Sequence, residues 1–88
     1  MRSLDLTEAV NETYNHDCMD KQIVLDRTRK IMDEEGYLLS SMRMNDFGEV
    51  TVNLWRPLQE GEEVRSYYPV DKETGDRVKV EFLRFFAE

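Results

Sequence analysis

The residues whose types could do chemistry together lie in the segment NHDCMD, residues 15–20, which holds the only histidine and the only cysteine of this 88-residue chain. His16 and Cys18 are the residue types of a thiolate–imidazole pair in nucleophilic catalysis. Residues two apart on a helix do not face each other, so this spacing does not favour such a pair. One histidine among scattered carboxylates also lacks the ligand spacing of a zinc site. We therefore expect no catalytic residue, no metal ligand and no cofactor, with Cys18 packed as a small hydrophobic side chain.

Carboxylates are the most abundant candidate groups, since the chain has 19 acidic and 12 basic residues and a net charge of −7. No phosphate-binding glycine loop, nucleophile elbow or HExxH motif accompanies them. So short a chain also leaves little room for a substrate cleft, and we expect a protein that is not an enzyme. The negative charge predicts no direct nucleic-acid binding and no binding to anionic membranes. With no signal peptide or transmembrane stretch recognised, the expected location is the cytoplasm, or the host cytoplasm if the chain is viral.

Two acidic clusters are the first candidate binding residues. Gly36 predicts a helix end, which places the carboxylates of residues 33–35 in the last turn. The helix dipole disfavours each charge there by roughly 0.3–1 kcal/mol, so this helix end either tolerates the cost or meets a basic partner surface. The turn at residues 59–65 holds the second cluster. If both clusters lie at one end of the sheet, they form a negative patch that speeds association with a basic protein. The predicted protein-binding acids are Asp33, Glu34, Glu35, Glu60, Glu62 and Glu63.

Aromatic side chains on the sheet are the second candidate. In residues 49–56, Val50 and Leu54 alternate with Trp55, which predicts that the indole projects from the opposite, open face. If Asp71 and Asp76 close the last turn, Tyr67 is buried beside Val80 and Tyr68 lies on the open face; a one-residue slip exchanges the two tyrosines. Tryptophan and tyrosine anchor protein interfaces, so we expect Trp55 and Tyr68 to bind a partner, joined by Leu83 and Phe85. The alternative is that the chain ends or a helix cover this face.

The elements that must position these residues change character at Gly36. Asp5 and Glu8 have the spacing of a helix N-cap followed by its capping-box partner. The segment NHDCMD predicts a break, with Asp17 or Asp20 capping a second helix that runs to about Glu35. One continuous helix is the alternative, because no glycine or proline interrupts it.

The second part of the chain predicts antiparallel strands. Residues 37–44, 49–56, 63–70 and 77–86 read as four strands joined by short turns. The expected fold is therefore α+β, a single domain over residues 1–88, helical over 1–36 and β-rich over 37–88. One or two N-terminal helices pack on one face of a four-stranded antiparallel β-meander.

These features favour a small acidic interaction module, a regulator or inhibitor that binds a host protein through its acidic clusters and its aromatic sheet face. Phages and mobile elements use proteins of this kind. One alternative is a DNA mimic that inhibits a nucleic-acid-binding protein, although twelve interspersed bases weaken a continuous negative face. Another alternative is a homodimeric structural protein, and a possible homodimer contact is the aromatic row.

Overall fold

The computed structural model describes residues 3–86, which form two helices followed by one antiparallel sheet of three strands. The α+β class and the break between two helices are confirmed, whereas the described residues contain three strands rather than four. The elements are α1 (Leu6–Thr13), α2 (Met19–Glu35), β1 (Leu38–Met44), β2 (Val50–Pro57) and β3 (Val78–Phe85).

Two of the three helix ends predicted from the sequence follow the expected local chemistry. The Asp5 side chain accepts a hydrogen bond from the Glu8 N–H at 2.9 Å and caps α1, as predicted. At the other end of the helical region, α2 ends at Glu35 and Gly36 adopts φ 74°. The Gly36 N–H donates to the Met32 carbonyl in the last turn of the helix. The start of α2 differs from the prediction. Its N-cap is Cys18 with no side-chain cap bond, so the expected cap by Asp17 or Asp20 is wrong.

The sheet has β2 in its centre, with β1 and β3 as antiparallel neighbours on either side. One face, the helix side, is covered by α1 and α2. Apolar side chains from both layers meet there and are nearly or fully buried, which makes this the core. Its members are Leu6, Val10, Val24, Tyr37, Leu39, Val50, Val52 and Leu54. The other face, the open side, carries Thr51, Asn53 and Trp55.

The predicted fourth strand, residues 63–70, is not a strand. The Tyr68 N–H donates to the Arg65 carbonyl at 3.0 Å, which is a turn, and only Val70 forms a β-bridge, with Arg77. Pro69 has no N–H to donate to a ladder. The Arg77 guanidinium donates to the carbonyls of Ser66 and Tyr68, so two acceptors that a strand would need already bond a side chain. Of the two registers left open for the last turn, the structure has the one closed by Asp71 and Asp76, since the Asp71 N–H donates to the Asp76 carbonyl at 2.8 Å.

The two faces of β3 are the reverse of the prediction. Leu83 pairs with Val52 and Phe85 with Val50, so both lie on the helix side rather than beside Trp55. Val80 pairs with Trp55, which places it on the open side, 49 % exposed. Both faces of this strand carry apolar residues, so the alternation alone did not identify the buried one.

Candidate protein-binding surface

The two acidic clusters lie at the same end of the sheet. Leu38 pairs with Trp55, which places the start of β1 beside the end of β2. Helix α2 ends three residues before Leu38, and the turn at residues 59–62 begins two residues after Pro57. We call residues 33–35 together with residues 59–63 the acidic end. The condition under which the sequence predicted a joint negative patch is therefore met by the topology.

The α2 cluster consists of exposed charges. Asp33, Glu34 and Glu35 all face solvent, and within residues 3–86 none of them takes part in an ion pair. Arg29, one turn before Asp33, instead donates through Nη2 to the Thr7 hydroxyl at 3.0 Å. The negative end of the helix dipole adds to these three charges. This part of the acidic end is thus uncompensated negative charge presented to water.

Glu62 has a different role from the rest of its cluster. Its carboxylate accepts two hydrogen bonds from the Arg56 guanidinium at 2.7 and 2.8 Å and one from the Gln59 N–H at 2.9 Å. Lys79 lies 3.7 Å away. The hydrogen bonds from Arg56, followed by that from Gln59, lower the pKa of Glu62 from 4.5 to about 2. Glu62 is therefore a structural anion that fastens the turn to β2.

The other two acids of the turn remain available. Glu60 and Glu63 are exposed, and Glu63 makes one loose ion pair with Arg65 at 3.4 Å. A surface pair of this kind contributes roughly 0–1 kcal/mol, so a stronger cationic partner can displace it.

Arg56 holds the acidic end together and was missed by the sequence analysis. Its side chain is 8 % exposed, and the guanidinium lies over the Tyr37 ring at 5.3 Å while it binds Glu62. Tyr37 follows directly after the C-cap of α2, so Arg56 connects the helix end to the turn at residues 59–62. The signal was present in the alternation: a period of two from Val50 through Leu54 places Arg56 on the apolar face, where a charge needs a partner.

Trp55 lies on the open side of the sheet, as predicted, but the indole is covered there, so its expected exposure is wrong. Its side chain is 8 % exposed, because the chain between β2 and β3 folds across this half of the open side. Trp55 lines a cavity of about 530 Å³ together with Leu58, Val64 and Val78. Tyr68, the other predicted aromatic anchor, is half-buried, and Tyr67 rather than Tyr68 is the more exposed of the two, at 74 %. Their rings meet edge to face at 5.0 Å.

The part of the open side that stays uncovered has other residues. Phe82 is 52 % exposed, and the Arg84 guanidinium lies over its ring at 5.8 Å. Beside it, the Asn53 amide donates to the Ser41 hydroxyl at 3.0 Å. The exposed aromatic surface of the sheet is thus centred on Phe82 rather than on Trp55.

The histidine and the cysteine lie at the junction of the two helices. His16 lies in the link between the helices, and Cys18 is half-buried at the start of α2. Within residues 3–86, no three His, Cys, Asp or Glu side chains are grouped so that they could hold a metal ion. In the same part of the chain, no helix has the length and apolar character to cross a membrane.

Comparisons with protein-family models, with curated proteins and with solved structures found no match to this chain. Function must therefore be inferred from its own residues.

Proposed function

We propose that this chain is a non-enzymatic protein-interaction module that binds a basic surface of a partner protein through its acidic end, and thereby regulates or inhibits that partner. The observation that carries the proposal is the convergence of residues 33–35 and 59–63 at one end of the sheet. These clusters come from different elements, far apart in the sequence, and both lie at the surface.

The charge balance of this end supports the proposal. Residues 33–37 and 56–79 hold nine acids and five bases, a net charge of −4 out of the total of −7. Three of the bases bind acids of the same region, Arg56 and Lys79 on Glu62 and Arg65 on Glu63. The carboxylates of residues 33–35 take part in no ion pair within residues 3–86. A surface of this kind accelerates encounter with a positively charged protein and disfavours negatively charged ones.

The fixed geometry of the acidic end also favours recognition. The bidentate Arg56–Glu62 pair orders the turn before any partner arrives. A charge cluster held in place loses less conformational entropy on binding than one on a flexible tail. The charges on the turn and on the helix end are thus presented at a defined spacing.

The test is affinity capture from a lysate of the source cells, with the wild-type chain and two matched variants as bait. The first variant, Asp33→Asn with Glu34→Gln and Glu35→Gln, changes the net charge from −7 to −4. The control makes the same change in net charge at the opposite end of the sheet, with Glu12→Gln, Asp17→Asn and Asp46→Asn. Those three acids are exposed.

We expect the wild type and the control to capture the same protein at low salt and the acidic-end variant to lose it. Raising the salt to about 1 M shortens the screening length to roughly 3 Å and should release the partner. Equal loss of the partner by both variants would mean that total charge, rather than the acidic end, is recognised. Retention of the partner by the acidic-end variant would contradict the proposal.

A further inference from the structure

The outer edge of β3 has unpaired main-chain groups. The Val78 N–H donates to the Pro69 carbonyl at 2.9 Å, on the side away from β2. Main-chain groups of alternate residues in a strand point to the same edge, so those of Val80, Phe82 and Arg84 also point outward. No residue among 3–86 pairs with them. The turn that holds Pro69 and Val70 occupies the edge only up to Val78, which leaves residues 80–84 free.

Both sides of this free edge have room for another strand. On the open side, Val80 and Phe82 are 49 % and 52 % exposed. On the helix side, a cavity of about 300 Å³ lies between α2 and the end of β3, with Ile23, Val24 and Phe85 in its walls. Helix α2 thus extends beneath a position where the sheet has no strand. A long edge strand with exposed apolar residues is a template for pairing with another chain.

We propose that β3 of a second copy of this chain occupies this edge, antiparallel to the first, with a two-fold axis at Phe82. The free stretch of residues 80–84 has Phe82 at its centre, so a two-fold axis there uses the whole stretch in both copies. Val80 then lies opposite the second copy's Arg84, and the two Phe82 rings meet on the open side. Three such pairs make about six main-chain hydrogen bonds and form one sheet of six strands.

The charges near this edge fit a second copy. On the helix side, Glu81 of one chain lies opposite the second copy's Leu83. This is the side of the sheet on which Arg27 lines the cavity beneath β3. Glu81 and Arg27 are exposed, and neither takes part in an ion pair within residues 3–86. The two-fold axis brings Glu81 of each copy towards Arg27 of the other, so the edge is complementary to itself. The acidic ends then lie at opposite ends of the joint sheet and stay free, so this inference is independent of the proposed function.

Analytical ultracentrifugation of the full chain at high micromolar concentration tests the pairing. The wild type should sediment with twice the 10.5 kDa mass of one chain. Phe82→Lys places a charge on the axis and should give the mass of one chain. The control Phe47→Lys replaces an aromatic that is 92 % exposed at the β1–β2 turn, and it should sediment like the wild type. A wild type that sediments as one chain overturns the proposal, as does a dimer that survives Phe82→Lys.

Two further readouts apply if Phe82→Lys does not fold. Glu81→Arg should halve the sedimenting mass, and the added change Arg27→Glu should restore it. Amide hydrogen exchange at Val80, Phe82 and Arg84 should slow at least tenfold as the wild-type concentration rises, while exchange at Phe47 stays constant. Failure of the paired change to restore the dimer, or exchange at these amides that does not depend on concentration, contradicts pairing at this edge.

Discussion

Replacing Trp55 with alanine separates a structural role of the indole from a role in binding. A tryptophan buries roughly 150–250 Å² on folding, and 92 % of Trp55 is covered in this chain, since 8 % is exposed. At about 25 cal/mol per Å², this burial amounts to roughly 4–6 kcal/mol. Large-to-small changes of this kind cost roughly 3–5 kcal/mol in measured series. The free energy of unfolding of an 88-residue domain is itself roughly 4–13 kcal/mol, so Trp55→Ala should remove a large share of it.

Urea unfolding followed by far-ultraviolet circular dichroism measures this loss without relying on the fluorescence of the deleted indole. Phe47→Ala is the control, because Phe47 is 92 % exposed and should change the free energy of unfolding by less than about 0.5 kcal/mol. A loss of under about 1 kcal/mol for Trp55→Ala would refute the placement of the indole beneath the chain between β2 and β3. It would restore Trp55 as a candidate anchor for a partner.

Three other predictions concern single residues. The pKa of Glu62 is about 2 in the folded chain against an ordinary 4.5, so its contribution to stability is complete above pH 4.5 and is lost as the pH falls towards 2. The difference in urea midpoint between the wild type and Glu62→Gln should therefore close over that range; a constant difference would contradict it. Gly36→Ala meets no atom within 4 Å but forces φ near +74°, so the free energy of unfolding should fall by roughly 1–2 kcal/mol, and by less for Gly36→Asn. Asp5→Ala removes the cap bond to the Glu8 N–H and should cost about 1 kcal/mol in thermal unfolding, whereas a neutral result would assign the start of α1 to packing alone.

The helices and the first hairpin were predictable because their signals are local. The Asp5 cap and the Gly36 stop depend on residues within one turn of each helix end. The turn between β1 and β2 is likewise local, since the Asn45 side chain accepts the N–H groups of Phe47 and Glu49 at 2.9 Å. Each of these features is decided by contacts among residues fewer than five positions apart.

The rest was not predictable because it depends on contacts between segments that are distant in the sequence. Residues 63–70 have β-forming composition, yet the guanidinium of Arg77 takes the carbonyls that a strand would use. The alternation in β3 shows two faces, but its register with β2 decides which face meets the helices. The burial of Trp55 follows from the same long connection, which folds back over the open side.

The candidate site was predicted in part for the same reason. The position of Asp33, Glu34 and Glu35 in the last turn of α2 follows from the local helix stop at Gly36. All three are exposed, as expected for a cluster that faces solvent. The internal use of Glu62 was invisible, because its partner Arg56 lies on a strand whose burial depends on the tertiary fold. The position of the acids near the helix end and the turn was therefore predictable from the sequence. Which of these acids form ion pairs within the fold was not.

The central claim, that the acidic end is a recognition surface, is tested most directly by the affinity for the captured partner over a series of salt concentrations. We predict that binding by the wild type weakens steadily with salt. Neutralising residues 33–35 should reduce both the affinity and the salt dependence, while the variant with Glu12, Asp17 and Asp46 neutralised should keep both. Binding that is insensitive to salt, or equally sensitive in all three proteins, would contradict recognition by this end of the sheet.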